Sequence, residues 1–512
     1  MVKRLYFSVL FICCTISAVA QFNIGYSISV TGNVATDGDF APYYISSGNH
    51  GFPTQSKSGY LRAAATHDID LSKRFSYGFG VDLVGGASNG TMYEKYDVAT
   101  ESWGVDKQKP ANFWIQQLYG EIKFRGVFLS VGMKEHGSKL LNNRLSSGDL
   151  TFSGNIRPVP EVRAGFINYQ NIPFTNGWVQ IEGVYSLGKT MDTDWLENHY
   201  NYYNRCITTG FLYNYKRCSF RTKPTERFYV IASIQAAMQL GGTSRLYAKG
   251  HKVKEWKEKV GWKEIGQTLI PGEGSSSGNK EYYAGNSTGS LDFAAAYRLK
   301  NNDEIRAYFQ VPYEDGSGIA FQNGMDGLFG IEYKAAKKGW VNGAVIEWLE
   351  FMNQSGPLHW APNDHDDKSG HFPDQATGAD DYYNNFQYPG YQYLGMSIGT
   401  PFLKSPIYNK DGSISFKDNR VRGFHVGMSG NILPELEYRV LASWRTSLGS
   451  PYIPRLERVN CTSAMIEAIY DIKAVKGLQA KCQLAFDCGK LYGNNFGALV
   501  SLTYNGNLKF GK

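Results

Sequence analysis

Along much of this chain apolar and polar side chains alternate with a period of two, the pattern of strands that bury or coat one face. Over 435–445, Leu436, Tyr438, Val440, Ala442 and Trp444 share one face. Glu435, Glu437, Arg439, Ser443 and Arg445 share the other, and Leu441 alone is out of phase. Further on, Ala480, Cys482, Leu484 and Phe486 oppose Lys481, Gln483 and Asp487. Near the C-terminus Phe496, Ala498, Val500, Leu502 and Tyr504 oppose Gly497, Ser501, Thr503 and Asn505. Earlier, Tyr77, Phe79, Val81 and Leu83 oppose Gly78, Gly80 and Asp82.

The apolar faces end in Tyr, Phe or Trp, and the opposite faces carry Glu, Arg, Lys and Gly. An apolar band bounded by aromatics and backed by a charged face suits a barrel with lipid outside and a wet, crowded lumen. A soluble β-sandwich gives the same alternation and is the rival architecture. At about 25–30 residues per strand and connection, the chain yields about 16–18 strands, an even number being expected. The expected fold is all-β: a transmembrane antiparallel β-barrel of about 16–18 strands with long extracellular loops. It occupies residues 21–512 as one domain, since no Pro- or Ser-rich linker, internal repeat or shift in composition divides them.

Residues 1–20 read differently. Lys3 and Arg4 precede a short apolar run from Leu5 to Ile16, and Ala18-Val19-Ala20 offers a small-residue cleavage site before Gln21. A cleaved signal peptide is expected, and hence export; the run is too short to span a bilayer as a helix. Bulky Phe11 and Ile12 before Cys13 and Cys14 argue against a lipid-anchored N-terminus.

Composition supports an exported β protein, with 57 Gly, 35 Tyr and only 19% charged residues. The formal net charge of +7 is too weak to imply a nucleic-acid partner. Beyond residue 20 only Cys206, Cys218, Cys461, Cys482 and Cys488 remain, an odd and sparse set unlike a disulfide framework. Cys206 and Cys218 either bridge a hairpin or stay unpaired.

Little here points to catalysis. Gly274–Gly278, "GSSSG", matches G-x-S-x-G but lies in a Gly/Ser-rich loop, without the strand and helix that a nucleophile elbow needs. His359, Asp364, His365, Asp366, Asp367 and His371 cluster without the spacing of a known metal site and read as a solvated acidic loop. No enzyme, metal or cofactor is expected. Glu435 and Glu437 are expected to pair with cations along a lumen wall.

The two longest polar insertions offer binding chemistry instead. In 248–283, Lys254 and Lys257 interleave with Trp256 and Trp262, a mixture that attracts anionic polymers and stacks on sugar faces. In and near 355–385, Gln354, Asp381, Tyr383 and Asn384 supply amide, carboxylate and ring groups suited to sugar hydroxyls. A third stretch, "SGNIRPVPEVRAGF" (153–166), is a stiff ledge, because Pro158 and Pro160 fix their own φ and extend their neighbours.

That ledge resembles the signature region of the Wzi capsule-assembly family of outer-membrane proteins. The surrounding segments resemble the family in the same order: "FWIQQLYGEIKFRGVFLSVGMKEHG", "IPFTNGWVQIEGVY", "AGNSTGSLDFAAAYR", "YEDGSGIAFQNGMDGLFGIEY" and "DDYYNNFQYPGYQYLGMSIGTPF". Together they span roughly residues 25 to 450. The resemblance implies one barrel in the outer membrane of a Gram-negative bacterium, with small helical elements on its periplasmic side. It implies a lectin-like, non-catalytic role in attaching or assembling capsular polysaccharide or exopolysaccharide at the cell surface. The implied partners are that polysaccharide, outer-membrane lipid and the capsule-export machinery. On this reading Arg157, Glu161 and Arg163, with Glu437, Arg439 and Arg445, form a charge ladder along the lumen or rim. The alternative is a porin or glycan-specific channel, motivated by the polar inner face.

Overall fold

Every alternating window above is a strand, and consecutive strands pair antiparallel all the way round a closed cylinder. The computed structural model describes residues 22–36, 38–223, 225–269, 285–314, 316–356, 359–360, 376–377 and 380–510. The expected leader, the Gly274–Gly278 loop, and Asp364, His365, Asp366, Asp367 and His371 lie outside the described residues. In chain order the staves are β1 (Phe22–Ala35), β2 (Lys57–His67), β3 (Phe75–Ser88), β4 (Phe113–Phe124), β5 (Val127–Met133), β6 (Glu161–Phe166), β7 (Val179–Lys189), β8 (Leu212–Thr222) and β9 (Phe228–Leu240). The second half comprises β10 (Asn286–Arg298), β11 (Glu304–Tyr313), β12 (Gly327–Lys334), β13 (Gly343–Glu350), β14 (Val421–Leu433), β15 (Leu436–Gly449), β16 (Pro454–Asp471), β17 (Leu478–Gly489) and β18 (Asn495–Phe510). β18 pairs back onto β1, from Phe22 opposite Phe510 to Ala35 opposite Gly497, and closes an 18-stranded barrel. β6 is a broken stave, continued on β7 by Gln170–Asn171.

One end of the barrel carries tight links, such as Arg125-Gly126 between β4 and β5 and Pro434-Glu435 between β14 and β15. The long connections all leave the other end, 36–56, 134–160, 190–211, 241–285 and 351–420 among them. Outer-membrane barrels show this asymmetry, with short periplasmic turns and long extracellular loops. The helical segments of the described chain, including Tyr43–Ser46, Thr193–His199 and Trp262–Gln267, lie in the long connections. The resemblance implies small helices at the short-turn, periplasmic end; the described links there, 167–178 the longest of them, hold turns and no helix.

The alternation sorts as lipid physics requires. Val30, Leu61, Ile122, Ile346, Ile466 and Val500 point outwards and are exposed. Residues of the opposite phase, such as Asp82, Gln483, Ser501 and Ser443, point inwards and are buried. Near the long-connection end the outer face carries a row of aromatics in register from strand to strand: Phe293, Phe309, Phe329, Trp348, Phe424 and Trp444. Phe22 stacks on Phe510 at the opposite end, with ring centroids 5.1 Å apart. Two aromatic levels flanking an apolar belt match the girdles of a membrane barrel.

The lumen is filled. Segments 38–56, 134–160 and 380–420 fold back between the staves and bury Ile45, Leu145, Leu150, Tyr391, Phe402 and Phe416. Leu441, the residue out of phase in its strand, faces inwards and packs with Leu145 and Ile45 in this core. Its apolar character is explained by the plug it meets. All five described cysteines are free, so Cys206 and Cys218 form no bridge.

A charge on the belt should therefore be costly. Val30→Arg is expected to destabilise the barrel by about 2–4 kcal/mol, the range for arginine near the middle of a bilayer. Denaturant unfolding in lipid vesicles measures it, and a loss below about 1 kcal/mol would contradict the placement of Val30 in that belt.

Candidate functional site

The polar lumen wall is matched, group by group, to the plug. Glu347 on β13 accepts from the Ser146 hydroxyl at 2.7 Å, the Ser147 amide at 2.7 Å and the Tyr308 hydroxyl at 2.5 Å. Gln310 on β11 accepts from the Leu150 amide at 3.1 Å, and its own amide donates to Asp149 at 3.1 Å. Gln235 on β9 also donates to Asp149, and Thr151 meets Ser290 of β10 at 2.9 Å. His425 on β14 bonds the Leu145 carbonyl through Nε2 at 2.7 Å and the Tyr44 hydroxyl through Nδ1 at 2.8 Å. The Tyr43 amide donates to Asp487 of β17 at 2.9 Å. Buried polar groups are costly unless bonded, so this network ties plug to wall around half the barrel.

The expected charge ladder is present as separate units. Arg163 pairs with Glu161 at 3.2 Å, and Arg439 pairs with Glu467 at 2.9 Å. Glu437 pairs instead with Arg144 of the plug at 2.5 Å, and Glu435 with Lys473 at 2.8 Å. Arg445 is fully buried, 3.8 Å from the Tyr43 ring and 4.5 Å from the Phe402 ring, and donates to the Phe402 carbonyl at 3.2 Å. Arg157 lies on the plug ledge, 3.9 Å from the Trp114 ring, apart from Glu161 and Arg163. Next to it Asn155 is wholly buried and joins two plug segments, accepting from the Gly48 amide and donating to the Ser397 carbonyl.

The sugar candidates fall in three places. Lys254, Trp256 and Lys257 sit on a hairpin strand, His251–Glu258, whose lysines are exposed. Lys254 lies 5.1 Å over the Trp256 ring, and Trp256 donates to Glu258 at 2.7 Å. Trp262, at the start of a short helix, is 89% exposed. Gln354 and Tyr383 are buried inside the plug. Gln354 donates to the Phe351 and Asn419 carbonyls, and Tyr383 donates to the Leu150 carbonyl. Those bonds make the two side chains braces of the plug and keep them from the surface.

Asp381 and Asn384, in contrast, line a cavity of about 440 Å³ at the long-connection end. Tyr203, Arg205, Lys417 and Tyr452, drawn from three different connections, line it too, with Arg455 at the start of β16. Asp381 accepts from Asn384 at 3.1 Å and from Asn419 at 2.6 Å, and burial raises its pKa above the ordinary carboxylate value. Burial lowers that of Arg205, whose guanidinium bonds Ser415 and, at 2.8 Å, the Asn385 carbonyl. Arg455 grips Asp418 with both prongs, at 2.5 and 2.8 Å. On one rim Tyr203 packs with Tyr96 and Trp103, at 4.9 and 5.1 Å between centroids. Rings beside fixed amide, carboxylate and guanidinium groups are the means of holding a sugar: a stacking face plus hydrogen bonds to hydroxyls. The volume lies within the range of ordinary ligand clefts. Sequence reasoning missed Tyr203, Arg205, Lys417, Tyr452 and Arg455. The run "HYNYYNR" (199–205), dense in aromatics and amides, carried a signal for the first two. The others share no motif, because only the fold brings their connections together.

Fold and lumen define a class: a large outer-membrane-type β-barrel closed by its own connections. No family model and no curated protein matches this chain. Among solved structures it is similar to Wzi of Escherichia coli, an outer-membrane protein involved in group 1 capsule assembly and a carbohydrate-binding β-barrel. The two share 12% identity over 96% of this chain and 86% of that one, with a TM-score of 0.54. It also aligns with Acinetobacter baumannii OccAB2, at 8% identity over 95% of this chain and 98% of that one, with a TM-score of 0.45. The alignment with Pseudomonas aeruginosa OpdO has 11% identity over 96% and 99%, with a TM-score of 0.45. These likenesses are in fold.

The loop layer beside the cavity has an acid-sensitive clasp. His199 closes the helix Thr193–His199, stacked on Trp195 at 4.5 Å and edge-on to Tyr93 at 4.4 Å, with Nε2 bonding the Ser413 carbonyl at 3.1 Å. Burial pulls its pKa from 6.5 down to about 4. Above pH 6.5 the ring is neutral whether the clasp is closed or open. Below that value only the open form takes up the proton, so the clasp weakens by about 1.4 kcal/mol per pH unit until the closed form also titrates. Hydrogen exchange at the Leu196 and Tyr200 amides, corrected for intrinsic rate, should quicken between pH 7 and pH 4.5. His199→Gln should flatten that response, whereas pH-independent protection in the native protein would contradict it.

Proposed function

We propose that this chain is a Wzi-like protein of the Gram-negative outer membrane. Its role is to promote attachment or assembly of capsular polysaccharide or exopolysaccharide at the cell surface, as a lectin-like and non-catalytic barrel. The observation that carries the reading is the combination of a filled lumen with a ring-and-amide cavity at the long-connection end. A lumen occupied by folded-back segments bonded to the wall weighs against a steady diffusion channel, while connections braced from below suit a surface that holds a polymer. The fold likeness to Wzi and the ordered family-like segments support the same reading. Asp381 and Asn384 are the proposed sugar contacts inside the cavity, with Lys254, Trp256, Lys257 and Trp262 as an outer basic and aromatic platform. Gln354 and Tyr383 act indirectly, by holding the plug under the cavity. Outer-membrane lipid is the solvent of the belt, and capsule-export machinery is the neighbour that would deliver polymer.

The test is the ratio of cell-bound to released polysaccharide in a deletion strain and a complemented strain. Total polymer should stay constant while its released share rises several-fold on deletion and returns on complementation. Unchanged retention would contradict the proposal, and a fall in total polymer would move the role to synthesis or export.

A further inference from the structure

Arg157 stands apart even from Arg205 and Arg445, which lack a carboxylate partner among the described residues but donate to backbone carbonyls. Around the wall and plug, Arg62, Arg144, Arg163, Arg217, Arg306, Arg439 and Arg455 each meet a carboxylate. Arg157 meets none among the described residues; it lies against the face of Trp114, 3.9 Å away. The backbone is shaped to hold it there. Gly51 has φ +84°, and a Cβ at that position would come within 2.8 Å of the Arg157 side chain. On the other side the stiff Pro158-Val159-Pro160 run fixes the ledge. Burial lowers the Arg157 pKa to about 10, and the groups that favour its charge are the phenols of Tyr60 and Tyr393. A guanidinium drawn out of water without a counter-ion is unfavourable, and a bound anion relieves that.

Arg157 also lines a cavity of about 290 Å³ at the long-connection end, with Lys109, Asp194, Trp195 and Asn198. Lys109 is exposed on the rim and adds a second positive charge. Asp194 is the one acid of the lining among the described residues, and it suits a sugar hydroxyl as acceptor. Trp195 and Asn198 add apolar surface and an amide from the helix Thr193–His199. A planar guanidinium held on an indole presents a fork that matches a carboxylate or phosphate.

We propose that this cavity is a subsite for an anionic sugar residue, with Arg157 clamping its carboxylate or phosphate and Lys109 drawing the charge in. The inference rests on the polysaccharide-binding reading and names the chemistry of one part of it: the polymer is acidic, and its charge is read here.

Calorimetric titration of the purified full-length protein in detergent tests this. The probes are a tetra-uronide, a neutral tetrasaccharide of the same size and a tetrasaccharide bearing one phosphate. At low salt at least one charged probe should bind about tenfold or more tightly than the neutral one, and which one identifies the anion. Arg157→Gln should collapse that preference, Arg157→Lys should keep part of it, and Lys109→Gln should cost a smaller factor. Heat-shifted gel migration shows whether each variant is folded. A second measurement needs no variant: phenylglyoxal modification of Arg157 in the native protein, read by peptide mass spectrometry, should be slowed by the charged probe and not by the neutral one. Equal binding of all three probes overturns the subsite, as does a preference that survives in folded Arg157→Gln, or modification that no probe slows. Polysaccharide retention by cells is measured separately, so this subsite can fail while the attachment role stands.

Discussion

Closing eighteen strands into one cylinder leaves an interior wider than inward side chains alone can fill. Either water enters or the chain supplies something to pack there. Here it supplies its own connections, and the rest of the structure depends on that choice. The plug is held by an apolar centre around Phe402, Phe416 and Leu145 and by wall groups such as Glu347, Gln310 and His425 that bond its backbone. Removing one such wall group would leave a buried donor or acceptor without a partner, at about 1–3 kcal/mol each. The plug is therefore as much part of the fold as the staves are.

This arrangement links the membrane-spanning wall to the outer surface. Segments that fill the lumen continue into the connections that line both cavities, so the ring and amide groups outside rest on a packed base. Asn155 shows the link in one side chain: from the ledge itself, two residues before Arg157, it ties the turn at Gly48 to the Ser397 carbonyl. Arg205 does the same in the loop layer, reaching from the short strand Arg205–Thr209 to Ser415 and Asn385 in the long connection. A surface built this way would meet the proposed polymer with little reorganisation, which is the condition for binding without a large ordering cost.

The strands were legible in the sequence because lipid and lumen impose opposite chemistry on alternate residues. Trp444 and Arg445 were assigned to opposite faces from spacing alone, and the barrel places them so. The plug was not legible. Its Leu, Tyr and Phe residues follow no period, and an inward Glu347 or Gln310 reads the same whether it meets water or a loop backbone. Leu441 was the one local clue, an apolar side chain on a polar face. The cavities were half legible: Asp381 and Asn384 stood out as loop polar groups, whereas Tyr383, one residue from Asn384, proved to be a buried brace. Neighbours in a non-periodic loop can point to opposite sides, and periodicity has nothing to say about which.

The central claim is that the lumen is closed by the folded chain itself. Single-channel recording of the purified protein in a planar bilayer tests it most directly. The account predicts insertion with no steady conductance above the bare bilayer. A stable, porin-sized conductance in the native protein would contradict it.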